Sequence, residues 1–295
     1  MTKQLYSVLT ILLVMLFSAG TMAGGAAPES MWETTGLSNP ESVVYDVDNN
    51  VLYVSNVNGD AGAKDGNGFI SRVSLDGDLL EKEWVGGLDA PKGLAIADGK
   101  LFAADIDTLV EIDIANGTVS NRYTVPDAKF LNDVAASRTG DVFVSDMALN
   151  RIHKLDDDSG EFSVWLESPE LLNPNGLYVQ GKDTLIVAAW GVMTDGFATE
   201  TPGHLLAVNI ENKSIRAIGD GSPVGNLDGV EEDSDGSFYV TDWMNGKLFH
   251  ITPAGQVDLL LTLEQGMADL EFMPGTGMAY LPMMMNNKLL AYKVY

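Results

Sequence analysis

From residue 39 onward, one sequence pattern occurs six times, and this repetition limits the possible folds more than any other feature. Each copy has a small polar cluster, an apolar strand, a Gly/Asp turn and a second apolar strand. The copies are NPESVVYDVDNNVLYVSN (39–56), APKGLAIADGKLFAAD (90–105), FLNDVAASRTGDVFVSD (130–146), NPNGLYVQGKDTLIVAA (173–189), NLDGVEEDSDGSFYVTD (226–242) and MADLEFMPGTGMAYLP (267–282). Successive copies are 40 to 53 residues apart at their third position, a period typical of solenoids and propellers.

Each repeat also contains strands outside the hairpin. A third apolar strand follows every hairpin, and a fourth precedes the next repeat. We therefore predict an all-β fold, a six-bladed β-propeller with four strands per blade. A parallel β-solenoid is the alternative, although its coils are usually shorter. Because KLLAYKVY ends the chain as a third strand, we expect the N-terminal strand SMWETTGL to close the last blade.

The N-terminus has the pattern of a secretory signal peptide. Lys3 precedes an apolar run of about 15 residues, and the small residues of TMA (21–23) match a cleavage site. The run is short for a membrane-spanning helix, so an uncleaved anchor is the weaker alternative. We predict a signal peptide at 1–23, a single propeller domain at 24–295 and a periplasmic or secreted protein.

Composition excludes several classes of function. The chain has 42 Asp and Glu against 17 Lys and Arg, a net charge of −25, which disfavours nucleic acid and anionic membranes. It has no Cys and three His, so thiolate metal sites and thiol nucleophiles are excluded. We expect a monomer with a small-molecule substrate, no nucleic-acid partner and no membrane contact after signal cleavage.

The propeller topology predicts where polar side chains meet. The innermost strands of all blades start at one mouth of the central channel. The third residues of the six repeats lie there; they are Glu41, Lys92, Asn132, Asn175, Asp228 and Asp269. Carboxylate and amide oxygens suit one divalent metal ion, Ca²⁺ first, with Mn²⁺, Mg²⁺ or Zn²⁺ as alternatives. A purely structural polar ring remains possible, since Asn and Asp often initiate turns.

The same residues carry a family resemblance across 30–295. The Glu of NPES, the Asn of LNDV, the Asn of PNGL and the Asp of LDGV occur in that order, each in its own blade. In this the sequence resembles the regucalcin/gluconolactonase family of six-bladed propellers, and more distantly diisopropyl-fluorophosphatase and paraoxonase. The resemblance implies that Glu41, Asn175 and Asp228 bind the metal, and that Asn132 contacts metal or substrate. It also implies that Asp228 is the catalytic acid/base of lactone hydrolysis.

Other residues are candidates for substrate binding. Family gluconolactonases often have an Arg at the position of Phe130, so the resemblance leaves a sugar-acid substrate open to question. Lys92 either forms a salt bridge with Asp269 or Asp228, or contacts a substrate oxyanion. Asp269 itself is a candidate substrate contact.

Two long loops, 56–68 and 190–203, belong to opposite blades. We expect both on the face of the propeller that carries the predicted metal site. We expect them to wall the pocket with side chains that include Trp190, Met193, Phe197 and Lys64.

These observations favour a secreted, metal-dependent hydrolase of a lactone or related ester. The alternative is a non-catalytic propeller whose metal shapes a binding site for a small molecule or protein, because propellers host both kinds of function. A neutral lactone is compatible with the acidic chain, whose field slows the approach of anionic substrates.

Overall fold

The computed structural model describes residues 27–295, and the predicted signal peptide lies outside them. The first strand of the described residues is β1 (Glu29–Thr35). Five consecutive four-stranded antiparallel sheets follow it. Blade one contains β2 (Pro40–Asp46), β3 (Val51–Asn56), β4 (Gly68–Val73) and β5 (Leu79–Leu88). Blade two contains β6 (Pro91–Ala97), β7 (Lys100–Asp105), β8 (Thr108–Asp113) and β9 (Thr118–Thr124). Blade three contains β10 (Leu131–Ala136), β11 (Val142–Asp146), β12 (Arg151–Leu155) and β13 (Phe162–Glu167).

The second half of the ring follows the same plan with one insertion. Blade four contains β14 (Pro174–Gln180), β15 (Thr184–Ala189), β18 (Leu205–Asn209) and β19 (Ile215–Ala217). A separate two-stranded hairpin, β16 (Gly191–Met193) and β17 (Thr199–Pro202), interrupts it. Blade five contains β20 (Leu227–Glu232), β21 (Phe238–Asp242), β22 (Lys247–Ile251) and β23 (Val257–Thr262). The last strands are β24 (Glu271–Met273), β25 (Met278–Met283) and β26 (Lys288–Lys293).

The N-terminal strand closes the sixth blade. The strand order of this sheet is β1-β26-β25-β24, and β1 pairs antiparallel with β26 from Glu29 opposite Lys293 to Thr35 opposite Lys288. The first and last strands of residues 27–295 therefore lie in one sheet, which joins the ring without leaving a long open edge. The predicted six-bladed all-β propeller with four strands per blade, closed by the N-terminal strand, is confirmed.

Packing between neighbouring blades forms the core. One cluster joins blades one and two through residues such as Tyr53, Ile70 and Leu101, and equivalent clusters lie between the other blades. Trp84 stacks on Tyr53 with ring centroids 4.6 Å apart. The second strand of each blade is almost fully buried. The outermost strand is half exposed, with partly buried residues separated by exposed ones.

Residues 27–295 contain no α-helix. Within residues 27–295 the helical elements are three single 3₁₀ turns, η1 (Met147–Leu149), η2 (Pro169–Leu171) and η3 (Met284–Asn286). No helix in that range is long and apolar enough to span a membrane.

An irregularity recurs at the start of the inner strands. In blades one to five the pairing register of the first strand shifts just after its first residue, for example between Pro40 and Val43 and between Leu227 and Val230. Such bulges bend a strand and redirect a side chain. The redirected residue is the second of each strand, and in each of these blades it is the polar residue that the repeat placed at the channel mouth.

Candidate metal and substrate site

A pocket opens where the inner strands begin, and its floor is polar. The floor consists of the second residues of β2, β6, β10, β14 and β20, which are Glu41, Lys92, Asn132, Asn175 and Asp228. All five are at least nine-tenths buried. The empty space of the pocket is about 470 Å³ when the open solvent at its mouth is included. The structure thus brings together five of the six side chains that the repeat predicted.

Glycine allows the inner strands to approach one another below this floor. A Cβ at Gly176 would overlap the main-chain oxygen of Asp228 in the next blade, and a Cβ at Gly93 would overlap Asp133. Close contact between the strands therefore requires glycine after Asn175 in blade four and after Lys92 in blade two. These contacts hold neighbouring floor residues at a short separation around the axis.

The hydrogen bonds of the floor leave oxygen atoms unused. The Asn175 side-chain N–H donates to Asp228 Oδ2 over 3.0 Å, and Asn132 Nδ2 contacts the Met147 sulfur at 3.6 Å. Glu41 Oε2 and Asp228 Oδ1 are buried and have no hydrogen-bond partner. Buried carboxylate oxygens without partners are costly, and a bound cation is one way to satisfy them. The donor set of two carboxylates and two amides fits an oxygen-preferring divalent ion.

Electrostatics also favour a cation here. Burial raises the pKa of Glu41 well above its usual value, and the nearby Asp228 carboxyl raises it further. Burial likewise raises the pKa of Asp228, with a smaller contribution from Asp269. A positive ion between the two carboxyl groups opposes this effect, because an opposite charge stabilises the ionised form.

Lys92 is a buried cation without a carboxylate neighbour in contact. Its ammonium donates to the Ala90 main-chain oxygen over 3.0 Å and lies 4.6 Å from the centroid of the Phe130 ring. Burial lowers its pKa. Of the two roles expected for Lys92, the salt bridge to Asp269 or Asp228 is wrong, since no carboxylate of the described chain lies within 4 Å of the ammonium. The side chain lines the pocket and faces any ligand there.

Asp269 is the predicted ring member that does not line the pocket. Its main-chain N–H donates to the Glu41 main-chain oxygen over 2.9 Å, and its carboxylate accepts a 2.6 Å bond from Ser42. Burial raises its pKa to about 7. Its proposed contact with substrate is therefore not supported by its position, which lies at the level of Ser42, one residue further along the channel.

Apolar side chains surround the polar floor. This apolar wall consists of Ala61, Phe130, Met147, Trp190, Phe197, Trp243 and Met284. Phe130, Trp190 and Phe197 are the predicted members, whereas Ala61 of the loop 56–68 was not predicted. Met193 does not line the pocket, and Lys64 instead pairs with Asp107 of blade two.

Met147, Trp243 and Met284 were missed by sequence reasoning, although a signal exists. In all six blades the residue directly after the second strand is apolar; these residues are Val57, Ile106, Met147, Trp190, Trp243 and Met284. Four of the six line the pocket, and Val57 and Ile106 are buried close to Met284. The repeat therefore encodes an apolar ring above the polar one.

A second cluster with metal-ligand chemistry lies elsewhere. Among residues 27–295, Asp233, Asp235 and His250 are the one group of three such side chains with ligand atoms within 4.8 Å of one another. Asp233 and Asp235 belong to the turn between β20 and β21, on the face of the disc opposite the pocket. Ser237 contacts both the His250 ring, at 2.7 Å, and the Asp235 carboxylate. Asp235 and His250 of this cluster thus share a polar partner within the protein, whereas Glu41 Oε2 and Asp228 Oδ1 of the floor have none.

Comparison with known proteins supports the fold. No protein-family model and no curated protein sequence matches this chain. Similar solved structures include a gluconolactonase from Xanthomonas campestris, with a TM-score of 0.67 and 14% identity over 91% of this chain and 89% of that one. Virginiamycin B lyase from Staphylococcus aureus matches with a TM-score of 0.62 and 14% identity, covering 90% and 99% of the two chains. A streptogramin B lyase has a TM-score of 0.61 and 13% identity, over 91% and 97%. At these identities the likeness establishes a shared propeller fold.

Proposed function

We propose that this protein is a divalent-metal-dependent hydrolase of a lactone or related ester. The observation that carries the proposal is the pair of buried carboxylate oxygens without hydrogen-bond partners, Glu41 Oε2 and Asp228 Oδ1, in the floor of the main pocket. Glu41, Asn132, Asn175 and Asp228 would hold the ion, with Ca²⁺ as the first candidate. When bound, such an ion supplies Lewis acidity that polarises an ester carbonyl.

The chain's own residues can supply the remaining chemistry. Asp228 would accept a proton from the attacking water and return it to the oxygen that leaves when the ring C–O bond breaks. Asn175 orients Asp228 through their 3.0 Å hydrogen bond. Lys92, with an ammonium free of carboxylate contact, would donate to the carbonyl oxygen of the substrate. The net reaction adds water to the lactone and releases a hydroxy acid.

Charge is consistent with this direction of reaction. A chain of net charge −25 does not slow a neutral lactone, and it repels the carboxylate product. We further propose that the protein is exported by its N-terminal signal peptide, acts as a monomer and takes a small-molecule substrate rather than nucleic acid or membrane. The likeness to a gluconolactonase structure supports a lactonase-type reaction without defining the substrate.

A lactone and aryl-ester panel with added metals tests the proposal. We expect turnover with Ca²⁺, loss of turnover in EDTA and recovery when Ca²⁺ is restored, with Mn²⁺, Mg²⁺ and Zn²⁺ assayed in parallel. Millimolar Ca²⁺ should also raise the melting temperature by several degrees, because a ligand that binds only the folded state stabilises it. Turnover that persists in EDTA would contradict metal dependence. A Ca²⁺-stabilised protein without turnover would instead be the non-catalytic binding propeller.

A further inference from the structure

The pocket contains a continuous arc of aromatic rings. Phe130 and Phe197 have ring centroids 5.7 Å apart, Phe197 and Trp190 are 6.0 Å apart, and Trp190 and Trp243 are 6.2 Å apart. These are the distances of ordinary aromatic contacts. The four rings come from three different blades and from the β16–β17 hairpin. A ligand in the pocket therefore meets ring surfaces along one side.

Internal hydrogen bonds fix this arc. The Trp190 indole N–H donates to the Phe197 main-chain oxygen over 2.9 Å, which ties the hairpin to the pocket. The Trp190 main-chain oxygen accepts a 2.9 Å bond from the buried Asn226 side chain. Because its indole N–H is already used, Trp190 presents an apolar surface to a ligand. The arc is thus formed before a ligand binds.

The distribution of polar groups, all of them in the floor, disfavours a polyhydroxylated ring packed against the aromatic arc. Within the described chain, the polar residues that line the pocket are the five of the floor, and no Ser, Thr, Gln, His or Arg joins them. The floor is required for the ion and the reacting carbonyl. Hydroxyl groups held against the aromatic arc would lose water without gaining partners, at roughly tenfold in affinity for each group.

The exposed surface of Phe197 indicates which kind of ligand packs against the arc. Its side chain is 47% exposed although it contacts two other aromatic rings and lines the pocket. A large apolar side chain at the rim of a pocket gains from an apolar ligand, because ligand binding removes it from water. Val192, on the same hairpin, is 40% exposed but does not line the pocket.

We infer that the substrate is a lactone or ester bearing an aromatic or other apolar ring, which packs on Phe130, Trp190, Phe197 and Trp243 while its carbonyl reaches the floor. The inference deepens the proposed hydrolase function and rests on it for the reaction. The binding preference rests separately on the aromatic arc. Sugar lactones are then poor substrates.

Two six-membered lactones provide a matched comparison. Dihydrocoumarin carries a fused benzene ring, and δ-gluconolactone carries hydroxyl groups on the same size of lactone ring. We expect kcat/KM with Ca²⁺ to be at least about 100-fold higher for dihydrocoumarin, since several unpaired hydroxyls each cost affinity. An equal or higher kcat/KM for δ-gluconolactone would overturn the inference and leave the hydrolase proposal intact.

Variants of the hairpin test the aromatic arc itself. Phe197→Ala should lower kcat/KM for dihydrocoumarin about tenfold, mainly through KM, whereas Phe197→Tyr should retain most of it. Val192→Ala is the control and should match the wild type. An equal loss in Val192→Ala, or no loss in Phe197→Ala, would show that the arc does not bind the substrate.

Binding of an unreactive analogue separates the two proposals. Dihydroquinolin-2-one replaces the ester oxygen of dihydrocoumarin by N–H, and its binding can be measured by calorimetry in the metal-loaded protein. Binding that Phe197→Ala weakens about tenfold, in a protein that hydrolyses neither lactone, would support the aromatic preference and refute the hydrolase. No binding of the analogue and no turnover of dihydrocoumarin would overturn the inference.

Discussion

Asp228→Asn is expected to reduce turnover by about 10²–10⁴ at saturating metal, the usual contribution of a general acid or base. Asparagine preserves the shape of the side chain and one oxygen, but it cannot accept a proton from the attacking water. Asp228 Oδ2 accepts a hydrogen bond from Asn175, whereas Oδ1 has no partner within the protein, so Oδ1 is the atom that would both contact the ion and take the proton of the attacking water. The measurement is steady-state kcat with metal occupancy determined separately.

Glu41→Gln is the matched control for this variant. It removes a carboxylate charge from the same floor, at a position that the proposed mechanism uses only as a ligand. Its activity should recover more fully when metal is saturating. If both variants recover equally, Asp228 is a ligand alone and its role in proton transfer is wrong.

Gly176→Ala is expected to lower the melting temperature by about 10 °C, the second large effect. The added Cβ would overlap the main-chain oxygen of Asp228, and two inner strands would have to separate. Overpacking usually costs 1–3 kcal/mol, and a clash between backbones is at the upper end of this range or above it. Because the strand that moves carries Asp228, Ca²⁺ should also stabilise the variant less than the wild type.

A second glycine-to-alanine change controls for the loss of glycine as such. A Cβ at Gly275, in the turn between β24 and β25, would have no atom within 4 Å. Gly275→Ala should leave the melting temperature within about 2 °C of the wild type. If the melting temperature falls equally in both variants, the close approach of the two strands at Gly176 does not explain the loss of stability.

The repeat made the fold and the polar floor predictable. Period, turn residues and strand order were sufficient to locate Glu41, Lys92, Asn132, Asn175 and Asp228 at one mouth, and the pocket contains all five. The bulge that turns each side chain inward is a consequence of register, which depends on pairing between strands and cannot be read from one strand alone.

Asp269 shows where the repeat is an incomplete guide. The inner strand of blade six is only three residues long, β24, and begins after Asp269. The Asp269 main chain bonds to Glu41 of the neighbouring blade, which places its carboxyl group beside Ser42. A contact across the point of ring closure determines this position, and the local sequence carries no sign of it.

The apolar wall was only partly predictable for a different reason. Its members lie in connections that differ in length from blade to blade, from the hairpin that carries Phe197 to the single turn at Met147. Loop conformation depends on what each loop packs against. The apolar residue after each second strand is visible in the sequence, but its direction is fixed only by the assembled ring.

The location of a bound metal ion tests the central claim most directly. Crystals soaked in Mn²⁺ would reveal the ion by its anomalous scattering, in the wild type and in the Glu41→Gln variant. We predict a peak in the pocket floor within about 2.5 Å of oxygen atoms of Glu41 and Asp228, and a weaker peak or none there in the variant. In the wild type, a peak only at Asp233, Asp235 and His250 on the opposite face, or no peak at the floor at saturating Mn²⁺, would contradict the account.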